Sequence, residues 1–90
     1  MTVHVLIEGR VQGVGFRGWC AEEALRRGLA GWVRNRKSGA VEAVFSGAPN
    51  QVADMLQAVT KGPRFARVNA VNDLDPVETP SGRFEVRETA

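Results

Sequence analysis

The segment of this sequence best suited to bind an anion is a glycine-rich loop that leads into a helical pattern. The loop reads Gly9-Arg10-Val11-Gln12-Gly13-Val14-Gly15-Phe16-Arg17. Its glycines allow the backbone to turn several N–H groups toward one point, and the following helix adds the positive end of its dipole. Arg17 falls in the first helical turn, where its guanidinium matches two phosphate oxygens. The loop therefore predicts a site for a small phosphate-bearing ligand.

The two common nucleotide-binding patterns do not fit this loop. No Lys-Ser or Lys-Thr pair follows the glycines as in a P-loop, and Gly9, Gly13 and Gly15 do not have the dinucleotide-binding spacing. A tight turn between a strand and a helix also explains three glycines. The loop alone therefore leaves a purely structural role open.

Asn35 is the second residue that we predict in the site. It closes a strand-like run, Ala30 to Asn35, which runs in the same direction as the first strand because a helix crosses between them. With one strand between them, the two backbones stand about 9–10 Å apart, twice the inter-strand spacing. The amide of Asn35 offers a donor and an acceptor, enough to orient a water toward a bound phosphoryl group. The alternative role is that of a turn residue that opens the hairpin.

The elements that must position these residues follow the order β-α-β-β-α-β, with one further strand at the end. Alternating and helical patterns predict strands at Thr2 to Glu8, Ala30 to Asn35, Ala40 to Ser46, Ala66 to Asn72 and Arg83 to Arg87, and helices at Phe16 to Arg27 and from Pro49 to Gly62-Pro63. We expect an α+β, ferredoxin-like fold over residues 1–90 as a single domain. In it, two helices cover one face of an antiparallel sheet of four to five strands.

Finer features of these elements are also predicted. The glycines from Gly9 onward should end the first strand. Phe84 and Val86 should both point inward from the last strand. The inner stripe of the second helix should consist of Val52, Met55, Leu56 and Val59.

The composition of the chain limits the kinds of ligand and the cellular location that we expect for this protein. Twelve Lys and Arg face ten Asp and Glu in 90 residues, a net charge of +2, and the basic residues are mostly scattered. This favours a small anionic substrate over a nucleic acid. No apolar stretch approaches the roughly 20 residues of a membrane span, and the N-terminus has no secretory pattern. Cys20 is the single cysteine, so we expect no internal disulfide and no multi-cysteine metal site. A cytoplasmic monomer without metal or cofactor is the expectation.

The loop and the strand that ends at Asn35 also resemble a known family. Gly9 to Arg17 is similar to the signature loop of acylphosphatases, and Gly28 to Asn35 is similar to the second conserved block of that family. Weaker similarity covers Val41 to Gly47 and the segment that begins at Gly62-Pro63. Ser38 departs from the family, in which an acidic residue is common at that position, and the tail after Asp73 matches poorly.

The resemblance implies hydrolysis of an acyl phosphate to a carboxylate and inorganic phosphate. It implies that Arg17 binds the phosphate and that Asn35 positions the water. The loop itself is predicted to surround the phosphate with residues Val11, Gln12, Gly13, Val14, Gly15 and Phe16. The chain offers no Ser/His/Asp set and no carboxylate cluster for magnesium. We therefore expect direct attack by water, without a phosphorylated enzyme.

Several other residues are expected to serve structure. His4 is expected to have a structural role, and Cys20 is expected to be buried as a small hydrophobic residue. Trp19 and Trp32 should pack in the core or at an edge of the sheet. Arg34, Arg36 and Lys37 should form the solvated surface of a hairpin. The hairpin cations have one functional alternative, the steering of anionic substrates.

Two other classes of protein are compared with the enzyme. The first is a ferredoxin-like binding module. The metal-carrier type of such a module needs paired cysteines, which this chain lacks. The RNA-binding type needs exposed aromatic residues on its central strands, in a pattern that Trp32, Phe45 and Phe84 do not form. The other rival is a domain that serves a larger carbamoyl-transfer protein. No zinc-finger motif follows, so a free-standing enzyme is the expectation.

Overall fold

Two helices pack on one face of a five-stranded sheet. The computed structural model describes all residues, 1–90. Its elements are β1 (Thr2–Arg10), α1 (Phe16–Arg26), β2 (Ala30–Asn35), β3 (Val41–Ser46), α2 (Pro49–Lys61), β4 (Arg67–Asp73) and β5 (Glu85–Val86). The order of elements and the ferredoxin-like fold predicted from the sequence are confirmed. None of the helices has the length and apolar character needed to cross a membrane.

The sheet has the strand order β4-β1-β3-β2-β5. β3 lies between β1 and β2 and is antiparallel to both, so β1 and β2 end at the same edge of the sheet, as predicted. β5 is parallel to β2, and the sheet is therefore mixed rather than wholly antiparallel. The reason is the route of the chain. β4 lies at one edge and β5 at the other, so the chain crosses the sheet and returns alongside β2 in the same direction.

β1 continues two residues beyond its predicted end. The expectation that the glycines would end the strand at Glu8 was wrong, because a bulge between Glu8 and Gly9 shifts the register of pairing with β4. Gly9 then pairs with Val68, and Arg10 pairs with Arg67. The unpaired loop consequently begins at Val11 and spans the five residues before α1.

The core lies between the helices and the sheet. It contains alternate residues of the central strands and one stripe from each helix, which buries the apolar side chains from water. The predicted inner stripe of α2 is confirmed: Val52, Met55 and Val59 are buried, and Leu56 packs against them. The corresponding stripe of α1 consists of Phe16, Cys20 and Ala24.

Cys20 is wholly buried in this core. Burial raises the pKa of its thiol far above the ordinary value, and the negative charge of Glu23 raises that pKa further. The thiol therefore stays protonated and is no nucleophile. The predicted role as a small buried hydrophobe is confirmed.

The two tryptophans pack on opposite sides of the sheet. Trp19 packs against the core, and its ring makes an edge-to-face contact with that of Phe16, with the centroids 5.3 Å apart. Trp32 lies on the other face, where the guanidinium carbons of Arg34 and Arg87 stand 4.9 and 4.7 Å from its ring centroid. Both side chains serve packing, as predicted.

A buried carboxylate organises the face of the sheet away from the helices. Glu42 of β3 is 3% exposed, and its two carboxylate oxygens contact His4 Nε2 at 2.5 Å, Arg34 Nε at 2.9 Å and an Arg36 guanidinium nitrogen at 2.8 Å. Burial by itself would raise the pKa of Glu42. Hydrogen bonds from Arg36, His4 and Arg34 outweigh that effect and lower the pKa to about 2.

This cluster settles the roles of two groups of residues. His4 contacts Glu42 through one ring nitrogen and the Asp75 carbonyl through the other, at 2.7 Å, so its predicted structural role is confirmed. Arg34 and Arg36 pair with Glu42, so the expectation of a merely solvated hairpin was wrong for these two residues. Only Lys37 of that run is simply exposed.

We predict that Glu42 makes the stability of the protein depend on acid. Because its folded pKa of about 2 lies below the ordinary 4.5, its contribution is complete above pH 4.5 and disappears as the pH falls toward 2. That contribution amounts to about 3 kcal/mol, since one pKa unit corresponds to about 1.4 kcal/mol. Glu42→Gln should lower the free energy of unfolding at pH 7 by about 2–4 kcal/mol and flatten its decline in acid. Urea unfolding at pH 7 and pH 3 measures both effects.

The matched control for this prediction is Glu22→Gln. Glu22 is exposed and makes no hydrogen bond or ion pair, so this variant should follow the wild-type pH dependence. A Glu42→Gln protein that loses as much stability between pH 7 and pH 3 as the wild type would contradict the prediction.

Candidate active site

A cleft opens at the sheet edge where β1 and β2 end, between the glycine loop, the first turn of α1 and β5. Its volume is about 350 Å³, near the lower end of the range for small-molecule sites. The residues that line it are Val11, Gln12, Gly13, Gly15, Phe16, Arg17, Gly18, Asn35 and Val86. The two residues predicted to do the chemistry, Arg17 and Asn35, thus share one cleft.

The loop backbone presents a row of unused donors. None of the N–H groups from Val11 to Gly18 donates a hydrogen bond within the protein. Gly13 and Gly15 have φ angles of 74° and 76°, left-handed values that residues with a Cβ rarely adopt. No side chain caps the N-terminus of α1, and its first turn contains no acidic residue. Donors grouped at the positive end of a helix dipole form a suitable site for a phosphate.

The side chain of Gln12 fixes the loop to the neighbouring hairpin. Its Nε2 donates to the carbonyl oxygens of Arg36 and Ala40, at 2.7 and 2.8 Å. These two carbonyls belong to the turn that directly follows Asn35. The Gln12 amide therefore connects the loop to the hairpin that carries Asn35, while the Gln12 backbone N–H remains unused.

Arg17 is the cation of the cleft. Its guanidinium makes one weak hydrogen bond, from a terminal nitrogen to the Arg87 carbonyl at 3.4 Å, and no ion pair. This separates it from Arg27 and Arg34, each of which is paired with a carboxylate. No acidic side chain lines the cleft. The charge of Arg17 is consequently available to an anionic ligand.

Asn35 faces the same cleft from the end of β2. Its backbone is fixed on both sides, through strand pairing with Val41 and through a hydrogen bond that its carbonyl accepts from the Ala90 N–H at 3.0 Å. Its side-chain amide makes no hydrogen bond within the protein. Asn35 therefore presents one carbonyl acceptor and two N–H donors to whatever occupies the cleft.

The structure groups most, but not all, of the loop residues predicted to surround the ligand. Val11, Gln12, Gly13, Gly15 and Phe16 line the cleft. Val14 does not; its side chain packs against the core. Val14 lies between Gly13 and Gly15, so its side chain can point toward the core while the two glycines expose their backbone to the cleft.

Two cleft residues were missed, Gly18 and Val86. The expectation that Val86 points into the core was wrong: it is 48% exposed, and only Phe84 of that segment is buried, stacked on Phe45. Alternation places Phe84 and Val86 on the same side of the strand. Val86, however, lies beside the first turn of α1, where the core ends and the cleft begins. The register of β5 against β2, in which Val86 pairs with Val33, places this side chain at the cleft.

The residues around the cleft can hold a phosphoryl group at the loop and a water at Asn35. The structure has no group of three or more His, Cys, Asp or Glu side chains placed to hold a metal ion. A small α+β fold with an anion site at a strand-to-helix loop is therefore the class of protein that the structure defines.

Comparison with known proteins gives the family. The acylphosphatase family model matches residues 3–86. The chain is 52% identical over 89 residues to an acylphosphatase of Azorhizobium caulinodans, a match that covers 98% of this chain and 96% of that protein.

Solved structures agree. An acylphosphatase from Bacillus subtilis superimposes with a TM-score of 0.84 at 38% identity, covering 96% of this chain and 97% of that one. One from Coxiella burnetii does so with a TM-score of 0.89 at 35% identity, covering 96% and 90%. This chain belongs to the acylphosphatase family.

Proposed function

We propose that this protein hydrolyses acyl phosphates to a carboxylate and inorganic phosphate, with Arg17 and Asn35 as its catalytic residues. The observation that carries the proposal is that three kinds of group lie in one cleft: the unused N–H groups of the loop residues that line it, the Arg17 guanidinium, which has no carboxylate partner, and the Asn35 amide, which has no hydrogen-bond partner. Membership of the acylphosphatase family supports the same activity.

The loop and Arg17 bind the phosphoryl group. The backbone N–H groups hold its oxygens, and the planar guanidinium donates two hydrogen bonds at once. Because these donors are in place before the substrate arrives, they stabilise charge that develops on the phosphoryl oxygens without reorganising during the reaction. Gln12 keeps the loop at a fixed distance from Asn35 by holding the Arg36 and Ala40 carbonyls.

The water attacks phosphorus directly. The carbonyl oxygen of the Asn35 side chain accepts a hydrogen bond from the water and holds it in line with the phosphorus–oxygen bond that breaks. A bond forms between the water oxygen and phosphorus, and the electron pair of the broken bond leaves on the carboxylate. Both protons of the water remain at first on the product, dihydrogen phosphate. Since a carboxylate is a good leaving group, no general acid is required.

We further propose that the protein acts as a cytoplasmic monomer that forms a single domain over residues 1–90 and binds no nucleic acid. One buried, protonated cysteine suits a reducing compartment. The net charge is only +2, a small surplus of positive charge for binding a phosphate backbone, and Arg27, Arg34 and Arg36 are paired with carboxylates.

The test is the hydrolysis of benzoyl phosphate by the purified wild-type protein in the presence of a chelator, followed in the ultraviolet. We expect turnover that the chelator does not reduce. In water enriched in oxygen-18, we expect the label in inorganic phosphate, because attack occurs at phosphorus rather than at the carbonyl carbon. Acid quenching during turnover of substrate labelled with phosphorus-32 should yield no labelled protein.

Three results would contradict the proposal. A folded wild type without activity would favour a phosphate-binding module. Label in benzoate would show attack at the carbonyl carbon. Recovery of phosphorylated protein would replace direct water attack with a covalent intermediate.

A further inference from the structure

The cleft has one apolar side chain that a ligand can reach. Three of its nine lining residues are hydrophobic, namely Val11, Phe16 and Val86. Val11 is 1% exposed and Phe16 is 2% exposed, so both belong to the core. Val86 is 48% exposed. Val86 is therefore the hydrophobic residue of the cleft that an apolar part of a bound ligand can contact.

The position of Val86 is fixed by the backbone around it. Val86 pairs with Val33 in the parallel β2–β5 ladder, and the next residue, Arg87, donates its N–H to the Val33 carbonyl at 2.8 Å. The Arg87 carbonyl accepts the hydrogen bond of Arg17. The chain segment that carries Val86 is thus attached to β2 and also contacts the phosphate-binding arginine. A β-branched side chain on such a strand has little rotameric freedom.

A single exposed valine needs no functional explanation on its own, so Val86 is compared with a second exposed valine of this protein, Val77. Val77 is 39% exposed, in the segment that crosses the other face of the sheet beside Trp32. Val86 differs from Val77 in its surroundings, because it shares a cleft with a guanidinium and an amide that have no carboxylate or side-chain partner.

We propose that Val86 is a specificity-determining residue that packs against the acyl substituent of the substrate and favours apolar acyl groups, above all aromatic ones. This inference rests on the proposed function. With the phosphoryl group at the loop and Arg17, the acyl group must extend toward the remaining wall of the cleft. Arg17 is the only charged residue there. A charged acyl group would therefore find no partner of its own, whereas an uncharged apolar group gains contact with Val86.

The test compares kcat/KM for benzoyl phosphate and acetyl phosphate in the wild type, Val86→Thr and Val77→Thr. Threonine keeps the shape and the strand preference of valine but replaces a methyl group with a hydroxyl. We expect Val86→Thr to lower the benzoyl-to-acetyl ratio of kcat/KM by about three- to ten-fold, less than in an enclosed pocket because the contact is half exposed. The change should arise mainly in KM for benzoyl phosphate, because the contact is equal in the ground and transition states. Val77→Thr should leave the ratio at its wild-type value.

A second measurement separates the acyl contact from the phosphate site. The inhibition constant for inorganic phosphate should be the same in Val86→Thr as in the wild type, since phosphate lacks an acyl group. An unchanged ratio in an active, folded Val86→Thr would overturn the inference and leave the proposed function intact. An equal loss for both substrates, with weaker phosphate inhibition, would also overturn it, because Val86 would then merely support the loop. A wild type inactive on both substrates would overturn the proposed function and this inference with it.

Discussion

Replacing Arg17 with lysine should lower kcat/KM for benzoyl phosphate by about 100-fold, and replacing it with alanine should lower it by about 1,000-fold or more. Losses of this size are typical when a group that stabilises charge is removed from a phosphoryl-transfer site. Lysine retains the positive charge but has no planar fork, so it cannot donate two parallel hydrogen bonds to the phosphoryl group. The weaker phosphate site should also raise the inhibition constant for inorganic phosphate in both variants.

Stability should be little affected by these substitutions, because the Arg17 guanidinium makes only the single 3.4 Å hydrogen bond to the Arg87 carbonyl. Arg83→Lys is the matched control, since Arg83 is exposed and lies outside the cleft. Its kcat/KM should equal that of the wild type. An Arg17→Lys protein with more than about a tenth of wild-type kcat/KM would show that charge alone suffices and that bidentate donation contributes little.

The parts of the site that could be predicted from the sequence depend on local signals. Glycines before a helical stripe define the loop, and the position of Arg17 in the first turn follows from the start of that stripe at Phe16. Asn35 could be assigned to the same sheet edge because a βαβ crossover makes β1 and β2 parallel whatever their side chains. The family resemblance rested on these same residues.

The features that could not be predicted depend on pairing between distant segments. β5 is two residues long, and its register against β2 decides whether Val86 meets the core or the cleft. The partners of Gln12 are two carbonyl groups, which have no signature in the sequence. Likewise, the ion pairs of Arg34 and Arg36 depend on Glu42 facing away from the helices, which the strand pattern does not distinguish from an ordinary exposed position.

The last residues of the sequence contact both of the proposed catalytic residues, Arg17 and Asn35, through their backbone. The Arg87 carbonyl accepts a hydrogen bond from Arg17, and the Ala90 N–H donates to the carbonyl of Asn35. The Ala90 carbonyl also accepts from the N–H of Lys37, in the turn after Asn35. Side-chain identity matters little in such contacts, since any non-proline residue supplies the same N–H and C=O groups. This segment can therefore contact the site through its backbone whatever side chains it carries.

Replacing Asn35 with alanine should lower kcat for benzoyl phosphate by about 100- to 1,000-fold, while KM should change by less than about three-fold. The reason is that orienting the water lowers the free energy of the transition state but adds little to the binding of the substrate. The inhibition constant for inorganic phosphate should likewise stay close to the wild-type value. This separates Asn35 from Arg17, for which phosphate binding should weaken. Asn35→Asp keeps the shape but places a negative charge near the phosphoryl group, so this variant should lose kcat and also bind phosphate more weakly.

The substitution to alanine should leave the fold in place, because the Asn35 side chain makes no hydrogen bond within the protein and its backbone contacts with Val41 and Ala90 do not involve it. Asn69→Ala provides the matched control, since Asn69 is also a strand asparagine and is exposed, away from the cleft. It should keep wild-type kcat and KM. If Asn35→Ala instead raised KM and the phosphate inhibition constant together at unchanged kcat, Asn35 would be a phosphate ligand, and the attacking water would have to be oriented by the unpaired backbone groups of the loop.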